Sequence, residues 1–343
     1  MAARGTFAVH RLSDGATIRP VLIDLTVPST ARGERLDVWL TSALDGCTRS
    51  LVARLLKQDL CVLSSAEGRP LKTKAGYFLD GGEIVALEVP EIEPMEAVPE
   101  DIPLSIIHED ERLIVIDKPA GMVVHPAIGH HRGTLVNALL FRYGTTLASG
   151  EGWRPGIIHR LDAETSGVIA VARDDEALRF VQDAFKARSV KKRYLALAAG
   201  TPKADYLENT KWIGRHPKDF RKRAIREEGS GDAKEAQTTF LVHARCNGYS
   251  VIEARPRTGR THQIRVHLAD LGHPILADAT YGRARTWPLN PPTDPAVPCL
   301  RRHALHAWTL EIPHPDGHLL SLSAPLPADL LPWLPAGITP KPR

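Results

Sequence analysis

Between Glu91 and Arg112 the chain turns acidic and stiff. Glu91, Glu93, Glu96, Glu100, Asp101, Glu109, Asp110 and Glu111 stand against a single arginine, and Pro94, Pro99 and Pro103 interrupt the first part. The prolines stiffen its first part, and an acidic stretch of this kind is usually just solvated. The part up to about Pro103 therefore reads as an interdomain linker. Room is left for a small module before it and a large domain after it. With 343 residues the chain can build its cores without disulfide or metal staples. The implied layout is an N-terminal extension (1–32), a small α+β domain (33–92), the linker (93–103), a large domain (104–331) and a proline-rich tail (332–343).

In the small domain, Arg35-Leu36-Asp37 leads to Trp39 and Leu40. Thr48 is placed to cap a helix that carries Leu51, Leu55 and Leu56 on one side and Arg49, Arg54 and Lys57 elsewhere. Short strands are expected at 61–63 and 83–89, with 21–27 a candidate added strand. Beyond the linker, 113–117, 168–172, 193–199 and 249–255 read as strands. Helical spacing marks 135–143, 175–187 and a segment through Ile264, Leu268 and Leu271 that Gly272 stops. Strands and helices mix without strict βαβ succession, so a mixed sheet flanked by helices is expected rather than a doubly wound parallel one.

Several classes drop out. The four cysteines include no C-x-x-C pair, which argues against zinc ribbons and disulfide frameworks and fits a reducing, cytoplasmic setting. No apolar run approaches the ~20 residues of a membrane span. Residues 1–20 lack the apolar centre of a signal peptide. The fifteen histidines show no H-E-x-x-H or Cys/His grouping, so no metal is expected. Neither G-x-x-x-x-G-K-[ST] nor G-x-G-x-x-G occurs, which argues against nucleotide-driven or nicotinamide chemistry. The net charge of +4 says little about partners; its uneven distribution says more.

Three clusters carry chemistry. In Gly156-Ile157-Ile158-His159-Arg160-Leu161-Asp162-Ala163-Glu164-Thr165-Ser166-Gly167 an aspartate stands between an apolar entry and an apolar strand. A carboxylate held there is a candidate nucleophile or base. A lone Asp-x-x-Thr-Ser more often just caps a turn, so its role depends on which side chains meet it. Residues 255–267 place four arginines and two histidines, among them Arg260, His262 and Arg265, where a strand passes into a helix. That is suited to phosphates or to pairing with a buried carboxylate. Arg265 adjoins Ile264 and Val266, so it is expected to be half buried and in need of a partner. In Lys191-Lys192-Arg193-Tyr194 an aromatic side chain stands beside three cations, the composition that stacks a base and neutralises a backbone. The basic run from Lys211 to Arg226 suits either RNA or plain solvation.

Together these residues resemble the RluA/RluD-type pseudouridine synthases. HRLD-x-x-T-S-G at 159–167 is similar to their catalytic motif. Blocks at 118–140, 191–200, 257–282 and 302–315 follow in the same order and spacing. Residues 33–89 are similar to an S4 RNA-binding domain. The resemblance implies an α+β fold with a mixed, largely antiparallel sheet. It implies isomerisation of uridine in RNA without a cofactor: C1′–N1 breaks and C1′–C5 forms. Asp162 then matches the catalytic aspartate, Arg265 the arginine paired with it, and Tyr194 the tyrosine that stacks on the base. Arg160 matches the arginine that helps displace that base. His159, Arg260, His262 and Lys192, with Arg49, Arg54 and Lys57 of the small domain, are expected at the RNA. Large-subunit ribosomal RNA or a pre-ribosomal particle is the expected partner of a monomeric enzyme. A transfer RNA substrate, or a non-catalytic RNA-binding assembly factor, are the alternatives.

Overall fold

The computed structural model describes residues 21–44, 49–89, 97–126, 131–149, 155–219, 221–282, 284–289 and 298–335. The chain divides into two compact units, residues 1–94 and 95–343.

In the first unit, β1 (Val21–Thr26), α1 (Leu36–Ala43), α2 (Arg49–Lys57), β2 (Cys61–Ser64), β3 (Pro70–Leu71) and β4 (Ile84–Val89) follow in order. The strands form an antiparallel sheet, β1-β4-β2-β3. Each helix offers an apolar stripe: Leu36, Trp39 and Leu40 of α1 and Val52, Leu55 and Leu56 of α2 are buried at i, i+3, i+4 spacing. The expected boundary at residue 33 needs correcting. Val21 to Thr26 pair in continuous register with Val89 to Ile84, so the sheet begins at β1, inside what reads as an extension. Thr48 lies outside the described residues.

The second unit begins with β5 (Ser105–Glu109), β6 (Leu113–Lys118), α3 (Leu135–Tyr143), β7 (Ser166–Ala172), α4 (Asp175–Lys186) and β8 (Lys191–Ala199). It continues through β9 (Tyr206–Asn209), β10 (Ile213–Arg215), β11 (Arg223–Ile225), β12 (Thr238–Arg245), β13 (Tyr249–Pro256), α5 (Gln263–Asp270), β14 (Leu305–Pro313) and β15 (Leu319–Ser323). The main sheet runs β5-β6-β7-β14-β8-β13-β12-β9, with β15 alongside β14. Among the described strands only the short β7–β14 contact is parallel, so the sheet is mixed and largely antiparallel, as expected. The hairpin β10–β11 stands apart from it.

Packing explains the uniformly apolar inner strands. Alternate residues of β6 and β7 go to opposite faces: Ile114, Ile116, Ile169 and Val171 meet Leu135 and Leu139 of α3. Val115, Val168 and Ala170 meet Leu178 and Val181 of α4. With both faces covered, no polar alternation survives. A capping box starts α3, Thr134 and Asn137 satisfying each other's backbone N–H groups. The end of the expected linker lies on that helix: Asn137 Nδ2 donates to the Val98 carbonyl at 2.7 Å. The C-terminal boundary also moves outward. Tyr249 Oη donates to the Trp333 carbonyl (2.8 Å), and Trp333 and Leu334 pack on the core under β8 and β13, beyond the expected limit of 331. Among the described residues no helix is long and apolar enough to cross a membrane.

Candidate active site

Asp162 sits on the turn that feeds β7, and buried cations and imidazoles hold that turn from behind. Lys118, at the end of β6, has no exposed surface and donates from Nζ to the carbonyls of Pro119 (2.7 Å), Met122 (2.9 Å) and Ala163 (2.9 Å). Burial pushes its ammonium down to about 8. Arg302, gripped by Asp329 at 2.7 and 3.0 Å, donates to the Glu164 carbonyl (2.9 Å) and to Ser166 Oγ (3.2 Å). Thr165 Oγ1 pairs with His303 Nε2 at 2.8 Å, and Ser166 Oγ with His306 Nδ1 at 3.0 Å. The hydroxyls of the motif therefore face β14 instead of capping the Asp162 turn, and the carboxylate is left free to look elsewhere.

It looks to α5. Arg265 Nη1 donates to Asp162 Oδ2 at 2.9 Å. No protein donor reaches Oδ1 among the described residues. Arg265 is 7% exposed and Asp162 18% exposed, so the ion pair is sunk in the protein with the carboxylate on its solvent side. Behind the guanidinium, Asp278 takes Nε and Nη2 at 2.7 and 2.9 Å. Asp162, Arg265 and Tyr194 of β8 line one cleft of about 110 Å³, together with Arg160, Lys192, Arg260 and His262.

α5 can present Arg265 because its neighbours in the motif lock its start. The Gln263 amide accepts from Thr258 Oγ1 (2.8 Å) and the Arg260 N–H (2.9 Å) and donates to the Gln237 carbonyl (3.0 Å) and Thr238 Oγ1 (2.9 Å). His267 pairs with Thr238 Oγ1 at 2.9 Å. His262, just before the helix, takes a left-handed conformation at φ 58° and pairs through Nδ1 with Tyr281 Oη at 2.7 Å.

Burial favours the neutral acid at Asp162, but the positive field of His262 and Arg265 outweighs it and holds the carboxyl below its ordinary value. Burial pushes His262 itself down, so its positive charge adds to that field only in acid and Arg265 is the permanent partner. Burial, aided by the charge on Asp162, raises the Tyr194 phenol, which stays protonated. Lys192 is lowered to about 8 by burial and by Arg260, and no carboxylate among the described residues pairs with it. An ionised carboxylate beside a neutral aromatic and nearby cations can accept a proton or attack an electron-poor carbon of a bound anionic chain.

The other expected site residues divide. Arg160 is exposed at the cleft and Arg260 is half-buried there. His159 is turned inward: its Nε2 accepts the Ala170 N–H at 3.0 Å, its ring stacks on Phe185 at 5.0 Å, and burial lowers it to about 3. It holds the turn to β7. Lys57 is exposed at the end of α2, while the Arg49 and Arg54 side chains lie outside the described residues. The residues that sequence reasoning passed over are Lys118, Asp278, Tyr281, Arg302 and His303. All five fall inside the blocks that carry the resemblance, which is the signal that could have found them.

The family model described as RNA pseudouridylate synthase matches residues 112–270. The chain is 41% identical over 308 residues to "Ribosomal large subunit pseudouridine synthase D" of Xanthomonas campestris pv. campestris, covering 89% of each chain. It is 41% identical over 310 residues to the protein of the same name in Xylella fastidiosa, again covering 89% of each. Among solved structures, "Human RNA Pseudouridylate Synthase Domain Containing 1" is similar at 30% identity and a TM-score of 0.51, covering 66% of this chain and 85% of that one.

Proposed function

The chain belongs to the RNA pseudouridylate synthase family and isomerises uridine in RNA; we propose that its substrate is large-subunit ribosomal RNA and that Asp162 is the carboxylate on which the reaction depends. The supporting observation is the 2.9 Å contact that fixes an ionised Asp162 against Arg265 in the cleft that Tyr194 lines. The relatives named for the large ribosomal subunit support the substrate.

The net reaction breaks C1′–N1, forms C1′–C5, takes a proton from C5 and returns one to N1. No atom or electron enters or leaves, so the stoichiometry asks for no cofactor. A uridine in folded RNA must first leave its stack, which costs a few kcal/mol. Tyr194 offers an aromatic face to replace part of that stacking, worth about 1–3 kcal/mol per base. Arg160, Lys192 and Arg260, none with a carboxylate salt bridge among the described residues, neutralise the flanking phosphates. Three routes are open to the carboxylate: attack at C1′, addition to the ring, or removal of a sugar proton. Each needs it charged, and Arg265 keeps it so at neutral pH. In this reading the enzyme acts as a cytoplasmic monomer, and the small unit is an S4-like RNA grip.

Two measurements test the proposal. Asp162→Asn should lose pseudouridine formation by at least about a thousandfold while still binding the RNA transcript, since only the charge is removed. Activity retained in that variant would remove Asp162 from the mechanism. Pseudouridine maps of ribosomal and transfer RNA, from cells with and without the gene, should differ in the large-subunit RNA; a difference confined to transfer RNA would reassign the substrate.

A further inference from the structure

Arg265 serves two carboxylates, and they are not equivalent. Asp162 meets one N–H from the cleft side and is 18% exposed, whereas the Asp278 side chain is wholly buried and takes two N–H groups in the forked geometry that fixes a guanidinium plane. The Asp278 carboxylate is in turn held from a second direction. Its Oδ1 accepts the backbone N–H groups of Thr280 (2.9 Å) and Tyr281 (3.1 Å). The loop that carries it is tightly shaped: Ala277 sits at φ 55°, and a Cβ at Gly282 would stand 2.7 Å from the Asp278 carbonyl oxygen. Tyr281 from the same loop lies under the guanidinium, with its ring centroid 5.1 Å from Arg265 Cζ. One short loop thus clamps the arginine on its edge and on its face.

We propose that Asp278 is a positioning residue for the isomerisation, which turns the Arg265 guanidinium so that a single N–H is left for Asp162 and keeps the Asp162–Arg265–Asp278 triad at a net charge of −1. This rests on the reading of Asp162 as the reactive carboxylate. Without Asp278, Arg265 is free to present its fork to Asp162. The arginine would then take both carboxylate oxygens, including the Oδ1 that no protein donor among the described residues now reaches, and the cluster would go from a net charge of −1 to zero. A carboxylate whose two oxygens are both held by a guanidinium, with no second acid beside it, is a weaker nucleophile and a weaker base. It also loses the electrostatic attraction for positive charge that gathers at C1′ as the glycosidic bond opens. Binding of the RNA, which depends on cations elsewhere in the cleft, is untouched by this change.

The test uses the full-length enzyme and an in vitro transcript of large-subunit ribosomal RNA. Asp278→Asn should lower kcat roughly 10- to 100-fold, the usual scale for a group acting through its neighbour, with KM for the RNA unchanged. A purely structural role would lower the folded fraction and leave kcat per folded molecule at the wild-type value; that result, or an unchanged kcat outright, overturns the proposal. Should the amide variant not fold, Asp278→Glu keeps the charge but displaces the guanidinium by a methylene. A fall in kcat at constant KM then supports the positioning role, and wild-type kcat overturns it. Asp162→Asn in the same assay separates the two ideas. If it is inactive while Asp278→Asn is normal, only the role of Asp278 fails; if it is active, the reading of Asp162 fails with it.

Discussion

Gly167 stands at φ 110°, and a Cβ built there would meet the Ala307 carbonyl oxygen at 2.1 Å. The parallel approach of β7 to β14 therefore depends on the missing side chain, because neither backbone can withdraw without breaking a ladder. Gly167→Ala should destabilise the large unit by about 3 kcal/mol or more in urea titrations, through the strained φ and the clash together. A loss under about 1 kcal/mol would mean the two strands can part at little cost. At this scale the sequence is informative where chemistry is concentrated. Asp162, Arg265 and Tyr194 stand in runs whose residue types make little sense as plain core or plain surface. Asp278 is different: in Leu276-Ala277-Asp278-Ala279-Thr280-Tyr281 it is one acid in a loop, and its partner lies thirteen positions back on a helix. Lys118 and Arg302 are hidden for a related reason. They bond to backbone carbonyls, which every residue possesses and no sequence pattern records.

Helix α5 shows how an element can be built around one buried, doubly paired side chain. Gln263 supplies four hydrogen bonds that tie the helix start to the 256–260 turn and to β12, and Arg265 follows two residues later. Gln263→Leu keeps the bulk but removes four hydrogen bonds and strips the Arg260 N–H of its partner, so a loss of about 3 kcal/mol is expected in chemical denaturation, with kcat falling as Arg265 loosens. Stability within about 0.5 kcal/mol of wild type would show that water replaces the amide. Helices α3, α4 and α5 are legible in the sequence because their apolar spacing survives tertiary packing. Strand β14 is not. It is buried along nearly its whole length yet carries His306, Thr309 and Glu311, so it reads neither as an apolar run nor as an alternation. Its polar residues are tolerated because partners arrive from afar: Ser166 for His306, and Lys191 and Arg193 for Glu311 at 2.9 and 3.5 Å. The edge strand β1 is legible only as a candidate, since its partner β4 lies some sixty residues on.

At the level of the whole large unit, three histidines are kept neutral inside the fold. Burial lowers His159 to about 3 and His303 and His306 to about 4, each from an ordinary value near 6.5. The unfolded chain takes up these protons below about pH 6.5 and the folded one does not, so stability falls as pH drops through the window from about 6.5 to 4. Three protons at about 1.4 kcal/mol each give a slope of about 4 kcal/mol per pH unit. Urea midpoints at pH 7.5 and 5.5 check this, and equal midpoints would mean the imidazoles charge freely in the native state. These same histidines brace the Asp162 turn, so acid should remove activity before secondary structure.

The strand order β7-β14-β8 has one more consequence. Asp162 belongs to the half of the sheet ending in β7, while Tyr194 and Arg265 belong to the half that starts with β8, and residues 305–313 join them. During translation both halves emerge from the ribosome with a raw edge before the strand that seals them has been decoded. A premature stop codon between α5 and that strand would release two unjoined half-sheets, ready to pair with other nascent chains. The two halves that carry Asp162 and Arg265 are therefore joined only when that strand is laid between them.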